Sequence, residues 1–266
     1  MSVLYQIAEK CANKAGSVPP RLAGKIDASI AFIHMPKCGG TSVHTAISRH
    51  FRADQISYLD PTASREVSVA DKVDMLPFRR SLLAYELAKQ GGNRFISGHW
   101  PLDQELISAN KAHWSFITIL RDPVDRWISN YFFNRDRSGN RDHFGTELDL
   151  EAYLDTKDAV ENGKLYLSFC HGGAMPEGDL SQPIAEAIKV LGNFELVGTL
   201  NDMEGFLDGF QDRWNVRPSI PVSNISPTSK TDRTETLTQP ILQRIQHICA
   251  PDQQIYEAIR EHASKN

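Results

Sequence analysis

Ile30-Ala31-Phe32-Ile33-His34-Met35-Pro36-Lys37-Cys38-Gly39-Gly40-Thr41-Ser42 reads as a buried strand that runs into a tight turn and the start of a helix. The apolar run from Ile30 to Ile33 suits a parallel strand covered on both faces. Pro36 ends that run, and Gly39 and Gly40 permit a tight turn with close backbone approach. Thr41 and Ser42 open a segment, 43–51, that can be helical. A strand, a glycine turn and a helix N-terminus in this order make an anion site, because free N–H groups and the helix dipole favour phosphate. Lys37 adds a full positive charge, and Thr41 and Ser42 add hydroxyl donors. The competing reading is an ordinary strand-to-helix turn with Lys37 in solvent.

The loop is not a Walker A motif, in which Lys follows the last Gly and precedes Ser or Thr. Here Lys37 precedes both glycines. The form Pro-Lys-x-Gly-Gly-Thr-Ser resembles the 5′-phosphosulfate loop of sulfotransferases, enzymes that use 3′-phosphoadenosine-5′-phosphosulfate (PAPS). Within that family it is similar to the carbohydrate branch, which includes the heparan sulfate 2-O-sulfotransferase relatives.

Residues 114–133, Trp-Ser-Phe-Ile-Thr-Ile-Leu-Arg-Asp-Pro-Val-Asp-Arg-Trp-Ile-Ser-Asn-Tyr-Phe-Phe, hold a second strand and helix. Phe116 to Leu120 is the strand candidate. Asp122 suits a helix cap and Pro123 a first helical position. Val124, Trp127, Ile128 and Tyr131 recur at helical spacing. Arg121 ends the strand, and Ser129 follows about two helical turns later. This arrangement resembles the 3′-phosphate motif of the same family, which implies that Arg121 and Ser129 contact that phosphate. The planar fork of Arg can bind a phosphate through two hydrogen bonds. Locally, Arg121 could instead pair with Asp125.

Arg94 to Pro101 ends another strand candidate with Gly98-His99. A Gly-His pair at a strand end resembles a segment of the 2-O-sulfotransferase relatives whose His is the catalytic base, which implies that role for His99. A neutral imidazole could take the proton of an acceptor hydroxyl. The alternatives are a His that only shapes the loop, or a carboxylate base such as Glu66, Glu86 or Glu105. His34 reads as a core or supporting residue, and His44 and His50 as exposed or packing. His171, in Phe-Cys-His-Gly-Gly, reads as a helix end stopped by Gly172, since no second Cys or His stands at zinc spacing.

With 266 residues, 41% hydrophobic and 23% charged, the chain is expected to form one domain, 1–266, with an N-terminal helix and linker over 1–28. A formal charge of −4 and a pI near 6.1 argue against general nucleic-acid binding. Arg121, Arg126, Arg135, Arg137 and Arg141 form a local excess that reads as a solvated face, partly offset by Asp122, Asp125 and Asp136. No apolar leader is read in residues 1–14, and no apolar run is long enough to cross a membrane. A cytoplasmic enzyme, in keeping with a bacterial source, is the expectation. Cys11, Cys38, Cys170 and Cys249 are widely spaced and read as reduced thiols, Cys38 being a small filler of the loop.

Along the chain the patterns predict helices over 78–90, 148–154, 160–169, 183–191 and 201–214, and a strand over 194–198. Residues 52–92 carry no assignable motif; they read either as part of an acceptor cleft or as crossover packing. The polar segment 222–233 stands where sulfotransferases carry a late loop that closes over the cofactor phosphates. The resemblance offers Lys230 or Arg233 for that task, while a solvated loop is the plain reading.

Alternating strand–loop–helix units indicate an α/β fold with a mainly parallel central sheet flanked by helices. The resemblance adds the P-loop-like sulfotransferase fold, with ligand at the carboxyl ends of the strands. It implies sulfuryl transfer from PAPS, leaving the bisphosphate product PAP, onto an acceptor hydroxyl on a glycan or glycoside, with no metal. Lys37, Cys38, Gly39, Gly40, Thr41 and Ser42 are then the 5′ loop, Arg121 and Ser129 the 3′ site, Lys230 the late-loop contact, and His99 with Lys37 the catalytic pair. A kinase would need a Walker-type Lys and an acidic Mg²⁺ ligand, neither of which is read here. A nucleotide-binding or scaffold protein without turnover, and a non-sugar alcohol as acceptor, stay open.

Overall fold

The computed structural model describes residues 26–89, 94–135, 145–220 and 236–263. Its centre is a five-stranded sheet in the order β2-β3-β1-β4-β5, every neighbouring pair being parallel. The strands are β1 (Ile30–Ile33), β2 (Ile56–Tyr58), β3 (Phe95–Gly98), β4 (Ser115–Leu120) and β5 (Leu196–Thr199). The helices that place the site are α1 (Gly40–Ser48), α2 (Pro61–Ala70), α3 (Met75–Ala88), α4 (Gln104–Asn110) and α5 (Pro123–Arg135). After them come α6 (Leu150–Leu154), α7 (Lys157–Gly163), α8 (Leu165–Phe169), α9 (Ser181–Gly192), α10 (Met203–Trp214) and α11 (Gln239–Ala263).

Alternation along β1 sorts its side chains onto two faces. Ile30 and Phe32 join Val43 and Ile47 of α1 and Phe206 and Phe210 of α10. Ala31 and Ile33 join Leu83 of α3, Leu167 of α8, Ala187 of α9 and Ile255 of α11. Both faces are covered, so the strand is apolar throughout. Each large side chain buried this way contributes about 1.5–3 kcal/mol. A third cluster seats α5 through Trp127, Tyr131 and Phe132 against α6, α7 and α11.

Several predicted boundaries move. The helix expected over 160–169 is two, α7 and α8, broken at Lys164, which has φ −116° and ψ 33°. Residues 52–92 contain an edge strand, β2, and two helices. Asp60 and Pro61 begin α2, with the Asp60 carboxylate accepting from the Thr62 and Ala63 amides at 2.9 Å, a cap on a Pro-initiated helix. Arg126 corrects the expectation of a solvated face: it is fully buried and donates to the carbonyl and side-chain oxygens of Asn162. Arg126 stands at the end of the first turn of α5 and falls beside Trp127 on its inner face. The expected N-terminal helix, Arg137, Arg141, Lys230 and Arg233 lie outside the described residues.

Candidate active site

The chain leaves β1, crosses to β2, returns to β3 beside β1 and then passes to β4 on its other side. A crevice opens at the carboxyl ends where the strand order reverses in this way. Three loops meet there. Lys37 follows β1, His99 follows β3 and Arg121 follows β4. The register pairs Ile33 with Gly98 and Phe32 with Ile117, so the three positions cap adjacent strands.

The loop after β1 is held from several sides. Thr118 of β4 donates to the Ile33 carbonyl at 2.7 Å, and the His34 amide donates to the Gly98 carbonyl at 2.9 Å. Lys37 and Gly39 have φ of 67° and 76°; the second suits glycine, and the first is a strained setting for lysine. At Gly40 an added Cβ would stand 1.9 Å from the His34 ring, so only glycine lets the helix begin so close to the strand. The N-cap residue, Gly39, has no side chain with which to cap α1, and no acidic residue lies in its first turn. Its N-terminus therefore faces the crevice with amides and a favourable dipole, the arrangement that holds a phosphate. Thr41 is exposed beside it, while Ser42 is buried. Cys38 is buried, its amide donating to Met35 O at 3.3 Å; it fills the loop, as expected.

Arg121 reaches across to this loop, Nη1 donating to the Lys37 carbonyl at 3.4 Å. Asp122 caps α5, accepting from the Val124 and Asp125 amides at 3.0 and 3.1 Å. The ammonium of Lys37 sits 3.5 Å from the centre of the Phe133 ring, a cation–π contact. Phe133 is one turn beyond Ser129, and residues four apart share a helix face. Ser129, half-buried, therefore lies on the same face of α5 as Phe133.

His99 Nδ1 lies 2.7 Å from the His34 carbonyl. A carbonyl only accepts, so Nδ1 carries the proton and the lone pair stays on Nε2. The His34 ring, buried, stands 4.4 Å from that of His99. Burial lowers the pKa of His99 to about 4, with Arg79 and Lys37 adding to the effect against the opposing His34 hydrogen bond. Burial also holds His34 well below its ordinary value and His44 at about 4. His44 and His50 thus pack rather than face solvent: His44 stacks near Tyr58 and Phe95, and His50 is buried. Of the alternative bases, Glu66 is exposed on α2 and Glu105 is 90% exposed near Arg80. Glu86 pairs with Lys89 near the far end of α3, whose Leu87 carbonyl meets the Trp114 indole before β4. His171 fits its reading as a helix end, Gly172 having φ 66° and its own Nδ1 contacting Leu167 O.

These pKa shifts set a pH dependence of stability. His34, His44 and His99 stay neutral in the folded protein while the unfolded chain takes protons near pH 6.5, so stability falls as pH drops from about 6.5 toward 4. Asp252, buried and raised to about 7, acts oppositely: its contribution is lost as pH rises from about 4 through 7. Three groups outweigh one, and the melting temperature is expected to fall between pH 6.5 and 4.5. His44→Phe should flatten that slope. A melting temperature that rises on acidification contradicts this balance.

Three contributors were not apparent in the sequence. Phe133 carried no assigned role, Arg79 lies in a stretch without a motif, and Tyr166 sits in what reads as plain helix. Arg79 is buried, donating to Ser64 Oγ and Pro61 O, both at 3.0 Å. It makes no ion pair among the described residues, and its charge is felt at His99.

Together, a parallel sheet, a glycine loop feeding a helix N-terminus and an Arg-ended neighbouring strand define an α/β protein whose layout suits a phosphate-bearing ligand. A family pattern described as "Sulfotransferase domain" matches residues 28–178, more than half the chain, and the chain belongs to that family. Human uronyl 2-sulfotransferase is 33% identical over 109 residues, covering 35% of this chain and 27% of the relative. The mouse uronyl 2-sulfotransferase is also 33% identical over 109 residues, covering 35% and 26%. The matched segment thus spans about a quarter of those relatives. A crystal structure of a sulfotransferase from Alicyclobacillus acidocaldarius is similar at TM-score 0.41 and 15% identity, over 84% of this chain and 96% of that one. Mouse sulfotransferase SULT7A1 complexed with PAP is similar at TM-score 0.33 and 15% identity, over 83% and 82%. No helix among the described residues is long and apolar enough to cross a membrane, and no group of three or more His, Cys, Asp or Glu among them is placed to hold a metal ion.

Proposed function

We propose that this chain transfers a sulfuryl group from PAPS to a hydroxyl of a carbohydrate. The observation that carries the proposal is the meeting of Lys37, His99 and Arg121 on three adjacent strand ends beside the uncapped N-terminus of α1. Lys37 and the amides around Gly39, Gly40, Thr41 and Ser42 fit the 5′-phosphosulfate, and Arg121 with Ser129 fits the 3′-phosphate. When bound, PAPS supplies the sulfuryl group and its leaving phosphate. The protein's part is positioning, charge and a proton. Arg121 and Ser129 fix the orientation of the nucleotide. Lys37 and the helix amides stabilise negative charge that develops at the crevice. His99 Nε2 takes the proton of the acceptor hydroxyl as that oxygen attacks in line. Lys230 is proposed to close over the phosphates from the late loop, and the enzyme to act in the cytoplasm as one domain.

The named relatives act on uronyl groups, and Arg79 supports an acidic sugar here. A buried guanidinium held, among the described residues, only by neutral oxygens is costly, and its pKa is lowered to about 10 by that burial. A carboxylate on the acceptor would compensate it within the field of His99.

Two measurements test this function. By calorimetry, PAP is expected to bind much more tightly than ADP, and equally well in EDTA, because Arg121 and Ser129 serve a 3′-phosphate and the cations are side chains. Equal affinity for PAP and ADP sinks the assignment. Incubation with PAPS and either uronate-containing or neutral polysaccharides, read by mass spectrometry, is expected to place sulfate on the uronate-containing ones. PAP binding with no transfer to any acceptor favours a binding protein without turnover.

A further inference from the structure

Arg121 is the first residue after β4, at a point where the sheet no longer serves its backbone. The pairing of β1 with β4 ends at Phe32 and Ile117, and that of β4 with β5 ends at Leu120 and Thr199. A part-buried peptide group in such a place needs another partner. The phenol of Tyr166, from α8, is that partner. Its hydroxyl donates to the Arg121 carbonyl at 2.7 Å and accepts from the Arg121 amide at 2.9 Å. One tyrosine oxygen therefore takes the place of a neighbouring strand for a single residue, 45 positions away in the chain.

The same oxygen meets the phosphate loop. Cys38 Sγ lies 3.4 Å from it. A phenol has one hydrogen, and that hydrogen goes to Arg121, so any bond here is donated by the thiol, whose sulfur also reaches the Pro36 carbonyl at 3.6 Å. Arg121 and the loop after β1 are thus tied to one atom, and the Arg121 guanidinium adds its own bond to the Lys37 carbonyl. Tyr166 is itself held fast. It is fully buried, and its amide and that of Leu167 donate to the two carboxylate oxygens of Asp252 on α11, at 2.8 and 3.0 Å. The Arg126 guanidinium stands 5.9 Å from its ring centre. Arg126 lies on α5, the helix that carries Ser129, so Tyr166 adjoins β4, the loop after β1 and α5.

We propose that Tyr166 is a positioning residue for the 3′-phosphate site, whose hydroxyl fixes the backbone of Arg121 and ties it to the loop that holds the 5′-phosphosulfate. The inference rests on the reading of Arg121 as a 3′-phosphate ligand. Without the hydroxyl, Arg121 loses both backbone bonds and its guanidinium is no longer aimed. Nucleotides that lack a 3′-phosphate do not use that aim.

Tyr166→Phe keeps the ring and removes only the hydroxyl. Calorimetry with PAP and ADP, on wild type and variant, reads the effect. PAP affinity in the variant is expected to fall about 10-fold or more, the scale of one or two lost buried hydrogen bonds, and ADP affinity to change by less than about 3-fold. In turnover, KM for PAPS should rise more than kcat falls. Equal losses for PAP and ADP, or no loss for PAP, overturn the inference and leave Tyr166 a packing residue. A wild type that does not distinguish PAP from ADP overturns the reading of Arg121, and the inference with it. Should the variant fail to fold, hydrogen exchange on the wild type decides: the Arg121 amide is expected to be protected as strongly as the amides inside β4, and fast exchange there overturns the proposal.

Discussion

Replacing His99 with alanine is expected to lower turnover by about 10²–10⁴, the range for loss of a general base, while PAP affinity stays within a few-fold of wild type. The pH–rate profile sharpens the test. Burial holds the His99 pKa at about 4, so the ring is neutral and competent through the physiological range. As pH falls through about 4 it takes a proton and the rate should drop. The acidic limb of kcat/KM is thus expected near pH 4, below the ordinary imidazole value of about 6.5, and it should vanish in His99→Ala. If His99 only braces the loop through its bond to the His34 carbonyl, the variant should lose melting temperature and PAP affinity together and keep the limb. A folded, PAP-binding variant with near-normal turnover removes His99 as the base.

Replacing Lys37 with alanine is expected to lower turnover by roughly 10²–10³, the cost of removing a group that stabilises transition-state charge. PAP affinity should fall less, because the α1 amides and Arg121 remain. Two features make a second variant useful. Lys37 has φ 67°, a setting that costs a non-glycine residue about 1–2 kcal/mol, and its ammonium rests on Phe133. Lys37→Gly removes the charge and relieves the backbone, so its melting temperature should equal or exceed that of Lys37→Ala while turnover stays equally low. Wild-type turnover in both variants means that the ammonium plays no part in the reaction.

The agreement between pattern and fold is uneven for a physical reason. The strand at Ile30–Ile33 appears with the boundaries its composition indicates, because a strand buried on both faces must be apolar at every position. The cap at Asp122 and the start of α5 at Pro123 were equally legible, since capping is local chemistry among neighbours. The edge strand β2 was not. It has three residues, none fully buried, and so lacks the composition that marks a covered strand. Arg126 misled for the opposite reason: a charged residue signals solvent unless a distant acceptor is known, and Asn162 is 36 residues away.

By itself the sequence determined a glycine turn from β1 into a helix, an Arg-ended strand before a capped helix, a Gly-His strand end, and the α/β class that places them at one edge of a sheet. Each of these is written in short runs of adjacent residues, where turn, cap and burial chemistry act. Only the tertiary structure decided that His99 would be buried enough to titrate near pH 4, that Lys37 would lie against Phe133, that Arg79 would stand buried without an ion pair among the described residues, and that the Tyr166 hydroxyl would hold both Arg121 and the loop at Cys38. Those properties come from contacts between residues tens of positions apart, brought together when the sheet and helices pack, and no local pattern encodes them.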